Sequence, residues 1–211
     1  MIFKLYFILL ILLFMPRNSH SQLYELSEKA AAEIIISLSE GELLSTVNLE
    51  KLKLVINSEF LSNEPARSYQ ISSASFDSVK KHLRQFESVS KNITPDSALV
   101  LFHQWYLGFV NIFYDYSKEL FFSVKKTKIL FFSTSLSCRC TLEMCKNQLI
   151  DILQFVKENN NRYDYWIVDA FKHNELQIKY LTLFTPSVIV LNPDNEVVYK
   201  IEYEETTCLF F

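Results

Sequence analysis

The chain has 211 residues, 49% of them hydrophobic and 21% charged, with a formal net charge of −3. This composition suits one large globular domain or two small ones, and so even a charge balance gives no electrostatic case for nucleic acid or anionic lipid as a partner. With only two glycines and no GxGxxG or GxxxxGK[ST] pattern, the sequence argues against glycine-rich phosphate loops.

Lys4 precedes the uncharged run LYFILLILLFM, Leu5 to Met15, which is followed by Pro16, Arg17 and the small-residue pattern SHSQ. A basic start, a short apolar core and serines at −3 and −1 describe a secretory signal peptide over residues 1–21, cleaved after Ser21. The run falls short of the roughly 20 apolar residues a spanning helix needs, so no stable membrane span is expected after cleavage. The expected location is a bacterial periplasm or cell envelope, or secretion from the cell.

Residues 22–124 read as helix. LYELSEKAAAEIIISLSEGELL carries apolar residues at three- and four-residue intervals and ends near Gly41, and NLEKLKLVINSEFL continues the pattern. SFDSVKKHLRQFESVSK presents a stripe of Phe76, Val79, Leu83 and Phe86. TPDSALVLFHQWYLGFVNIFYDYSKELFF follows as one long helix, with Thr94 as N-cap and Pro95 in the first turn. It is apolar nearly all round and predicts a central, buried element, on which His103 and Trp105 are packed with their polar tips partnered.

After Lys125 the pattern changes, and residues 125–211 read as a separate α/β unit. KILFFS has the length and continuous apolarity of a strand buried on both faces. LEMCKNQLIDILQFVKEN is an amphipathic helix with Leu149, Ile152, Leu153 and Val156 on one side. YDYWIVDA is a second strand, NELQIKYL a short helix, and PSVIVLN and EVVYKIEY are strands joined by a PDN turn. A helix crossing between the first two strands makes them parallel, and the final hairpin makes the sheet mixed.

The chemistry lies in STSLSCRCTLEMCK, where Cys138, Cys140 and Cys145 follow the first strand. Cys138 immediately precedes a helix, where the partial positive charge of the N-terminus favours thiolate over thiol. Thiolate is the form that attacks disulfides and binds soft metals. No GxSxG or HExxH occurs and Glu143, Asp151 and Asp169 form no evident carboxylate pair, so hydrolase chemistry has no support.

Four features together resemble the thioredoxin superfamily: KILFFSTSLSCRC with its helix, the strand YWIVDA ending at Asp169, the helix NELQIKYL, and LFTPSVIVLNPDNEVVYKI with a Thr185-Pro186 pair opening a strand. The resemblance spans about residues 126–203. It implies a thioredoxin-like mixed sheet flanked by helices, a cis bond at Pro186 lying against the cysteines, and a catalytic centre of Cys138, Cys140, Cys145 and Pro186. Arg139 and Thr185 would face the substrate. The chain departs from the family in four ways. Thr141 stands where the second cysteine of a CxxC would be, Ser137 replaces the usual tryptophan, and Phe132 replaces the buried acid. The final helix is missing.

Three functions remain open on these residues. The first is thiol–disulfide exchange with protein thiols or disulfides, Cys138 attacking and Cys140 or Cys145 resolving, with no cofactor. A Cys138–Cys140 ring would be small, strained and oxidising. The second is a Cu(I) or Zn(II) site of three thiolates, with His173 or Cys208 as fourth ligand. The third is an interaction module stapled by structural disulfides, such as Cys145 to Cys208.

Overall fold

A computed structural model describes residues 19–44, 46–57, 71–160 and 162–202. The apolar leader over Leu5–Met15 lies outside the described residues, as does Cys208. Among the described residues no helix is long and apolar enough to cross a membrane.

The protein is mixed α/β, with helices in its N-terminal half and a four-stranded sheet after them. Helices α1 (Ser19–Ser39) and α2 (Thr46–Asn57) come first. Gly41 follows α1 at φ 79, a left-handed conformation that glycine adopts without a Cβ clash. α3 (Ser73–Ser90) starts from Ser72, whose hydroxyl accepts from the Ser75 N–H, and it buries the expected stripe of Phe76, Val79, Leu83 and Phe86. α4 (Pro95–Ile112) has Pro95 in its first turn and Thr94 as cap, accepting from the Ser97 N–H.

The long helix expected from Thr94 to Phe122 is two helices, because the chain breaks at Phe113 before α5 (Tyr114–Ser123). Neither proline nor glycine marks the break. Phe113 is fully buried, its ring 5.0 Å from Phe109, 5.5 Å from Tyr24 and 6.1 Å from Phe76. Tertiary packing at that ring lets α5 leave the bundle and cross to the far face of the sheet.

The sheet comprises β1 (Lys128–Ser133), β2 (Asp164–Asp169), β3 (Ser187–Leu191) and β4 (Val197–Glu202) in the order β2-β1-β3-β4. β1 pairs parallel to β2 and antiparallel to β3, and β3 pairs antiparallel to β4. α6 (Arg139–Glu158) makes the crossover from β1 to β2, and α7 (Glu175–Tyr180) lies between β2 and β3. The turn before β4 has Asn195 at φ 68, while Asn192 accepts from the Asp194 and Glu196 amides.

β1 is buried along its whole length, and its side chains alternate between two cores. Ile129 and Phe131 join Ile167 and Val188 against Leu149, Ile152, Leu153 and Val156 of α6, and this core continues into the helical region. Leu130 and Phe132 join Trp166, Ile189 and Leu191 against Tyr114 and Phe121 of α5 and Leu176 of α7. α5 thus covers that face of the sheet. The helical region and the sheet share one continuous apolar interior.

Lys128 is buried at the start of β1, its ammonium donating to the Phe121 and Val124 carbonyls at 2.9 and 2.7 Å. A lysine here satisfies carbonyls left open at the end of α5. It ties that helix to the first strand.

Candidate active site

The loop from β1 to α6 carries the thiols, and its course is fixed at both ends. Ser133 O accepts from the Ala170 N–H at 2.8 Å, and Thr134 Oγ1 donates to Leu136 O at 3.0 Å. Asp169, buried at the end of β2, accepts from the Ser135 N–H at 3.0 Å, the Phe171 N–H at 3.2 Å and Asn111 Nδ2 of α4 at 3.0 Å. Hydrogen bonds contribute about 0.5–1.5 kcal/mol each, so this bracket holds the cysteine loop against both β2 and the helical region. Asp169 is a positioning residue. From the sequence it was visible only as the end of a strand.

Cys138 is the N-cap of α6, with extended backbone at φ −63 and ψ 159, and it is exposed. α6 begins at Arg139, three residues ahead of the helix expected from Leu142, so Arg139, Cys140 and Thr141 form its first turn. This winding brings the Cys140 sulfur to 2.8 Å from Cys138 Sγ and Thr141 Oγ1 to 3.1 Å from it. Those two side-chain contacts hold the Cys138 thiol down at about 7, and the amides of Thr141 and Cys140 add to the effect. The sulfur makes no full capping hydrogen bond. Thr141, which looks from sequence like the loss of a second cysteine, occupies a helical position that lets it donate to the first.

Cys145 stands apart. It lies seven residues along α6 from Cys138, about 10 Å of axial rise, whereas disulfide-bonded sulfurs sit about 2 Å apart. It is fully buried, and burial pushes its thiol up to about 11 against the opposing effect of Ser133 and the Thr134 backbone. The structure does not bring Cys145, expected as a resolving thiol, together with Cys138 and Cys140. Its sulfur cannot reach Cys138 or Cys140 while the helix is intact. All three described cysteines are present as thiols.

Arg139 is exposed in the first turn of α6. The Thr185–Pro186 bond is cis. β1 and β3 pair Phe132 with Ser187, and extending that register by one residue sets Pro186 opposite Ser133, at the sheet edge from which the cysteine loop departs. His173, a candidate fourth metal ligand, is stacked on Tyr114 with ring centroids 3.5 Å apart. Among the described residues no group of three or more histidine, cysteine or acidic side chains is disposed to hold a metal. The three-thiolate site fails for the same reason as the resolving role, since Cys145 faces the core.

No protein-family model and no curated protein matches the chain. Among solved structures, a designed protein is similar over 45% of this chain and 78% of its own, at 16% identity and a TM-score of 0.33. A likeness that weak carries no argument about fold or function.

Proposed function

We propose that the protein is an exported thiol–disulfide exchange protein with a thioredoxin-like α/β unit, working through Cys138 and Cys140. The observation that carries this is the state of Cys138: an exposed sulfur at a helix N-terminus, lowered to about 7 and 2.8 Å from a second thiol. The strand–helix–strand–helix–hairpin order and the cis bond at Thr185–Pro186 support the thioredoxin-like assignment.

The chemistry follows from the geometry. Cys138 thiolate attacks one sulfur of a substrate disulfide, forming a mixed disulfide and releasing the other substrate sulfur as a thiolate that takes up a proton. Cys140, deprotonated in its turn, then attacks Cys138 Sγ, releases the second substrate thiolate and leaves a Cys138–Cys140 disulfide. Two electrons pass from the pair to the substrate, and an external dithiol returns the pair to its reduced form. Run backwards, the same steps oxidise a substrate dithiol.

The test replaces Cys138 by Ser and measures reduction of a small disulfide by the full chain in the presence of dithiothreitol, corrected for the rate with dithiothreitol alone. The corrected rate is expected to vanish in Cys138→Ser and to persist in Cys145→Ser. Unchanged turnover in Cys138→Ser removes the proposal.

A further inference from the structure

His103 is one of the buried polar groups that the fold leaves unpartnered among the described residues. On the same helix, Trp105 Nε1 donates to Val79 O at 3.1 Å, so one of the two expected partnerships exists. His103 is only 5% exposed, yet its Nε2 atom has no hydrogen-bond partner. Leaving a buried polar nitrogen unpaired is unfavourable, and such atoms call for an explanation.

The imidazole lines a cleft of about 360 Å³ between α4 and the start of α6, shared with Gln104, Thr134, Arg139, Glu143 and Lys146. The cleft lies beside the thiols: Arg139 follows Cys138 in the chain, and Thr134 belongs to the loop that leads to it. Its volume is at the small end for ligand pockets and suits a short side arm. Its charge is positive. Glu143 is engaged by Lys146 in an ion pair, while Arg139 has no carboxylate partner among the described residues.

We propose that this cleft receives the carboxylate arm of a small disulfide substrate, with Arg139 supplying positive charge and His103 Nε2 the buried hydrogen bond. The proposal rests on the exchange function above and names its substrate class. Burial, with the Lys146 charge adding and Asp169 opposing, lowers His103 to about 4, so its ring is neutral at pH 7. A neutral ring in the tautomer with hydrogen on Nε2 donates one bond to a carboxylate oxygen.

The test uses the full chain carrying Cys138→Ser and Cys140→Ser, in which exchange at the pair is impossible. The probe is 3,3′-dithiodipropionate, with bis(2-hydroxyethyl) disulfide as neutral control. Calorimetric titration is expected to show saturable binding of the dianion in preference to the control. Loss of one charge-assisted bond by Arg139→Gln or His103→Leu is expected to weaken it about tenfold. Arg139 is exposed, so its variant keeps the test decisive if the buried His103→Leu fails to fold.

Charge-blind binding, binding unaffected by Arg139→Gln, or binding of an acidic peptide but not of the small dianion overturns the proposal. Selective binding in the variant together with an inert wild-type protein removes exchange and leaves the cleft. Wild-type turnover with charge-blind binding removes the cleft and leaves exchange.

Discussion

At the scale of single residues, the contrast is between two cysteines on one helix. Cys138 is exposed and lowered to about 7, whereas Cys145 is buried and raised to about 11. Only a thiolate attacks, so alkylation of Cys138 by iodoacetamide should rise with pH to half its maximum near pH 7. Thr141→Val keeps the buried shape and deletes the hydroxyl that lies 3.1 Å from the sulfur and can donate to its thiolate. A hydrogen bond worth about 0.5–1.5 kcal/mol corresponds to about one pH unit at most, so the midpoint should move upward by that order. A midpoint unmoved by Thr141→Val would mean that the helix terminus and Cys140 alone set the acidity.

At the scale of elements, the sequence was informative wherever hydrophobic period decides the structure. The stripe on α3 and the buried face of α6 are the residues that spacing alone selected, and β1 is buried on both faces as its unbroken apolar run requires. The turn chemistry of Asn195 and the cap at Thr94 were legible for the same local reason. The break at Phe113 was not, because it depends on where an aromatic ring seats among α1, α3 and α4. The depth of Cys145 was hidden by its closeness in sequence to the exposed Cys138 and the half-buried Cys140. Cys145 shares its helix face with buried Leu149, Ile152 and Val156, so helical phase would have placed it inward. Of the partners of Asp169, the Phe171 amide is local, but Ser135 and Asn111 come from a loop and a helix far apart in the chain, and no spacing rule links those two to it.

At the scale of the whole molecule, the helical region and the sheet are joined through a common core and a polar contact at the β2 edge. Glu28 of α1 meets β2 there, with Tyr165 Oη donating to the Glu28 backbone carbonyl at 3.5 Å. Glu28 Oε1 is buried without a partner, and burial raises its carboxyl to about 8 despite the Tyr24 hydroxyl, with Asp164 and Glu25 adding repulsion. A carboxyl raised on folding contributes stability that is complete below its unfolded value of 4.5 and is lost as pH rises through about 8. Glu28→Gln cannot ionise. Its Tm should therefore exceed that of the wild type at pH 8 and above, with the gap closing toward pH 5. Parallel Tm curves for the two proteins across that range would show that Glu28 ionises without cost.

The central claim is that electrons leave the molecule from Cys138 and Cys140 and from no other sulfur. Reduced full-length protein can be treated with less than one equivalent of a small disulfide, quenched by alkylation and mapped by peptide mass spectrometry. The predicted product is a Cys138–Cys140 disulfide, with Cys145 recovered as a thiol that alkylates only after unfolding. A disulfide containing Cys145 or Cys208, or a Cys138 left unoxidised while the disulfide is consumed, would contradict the account.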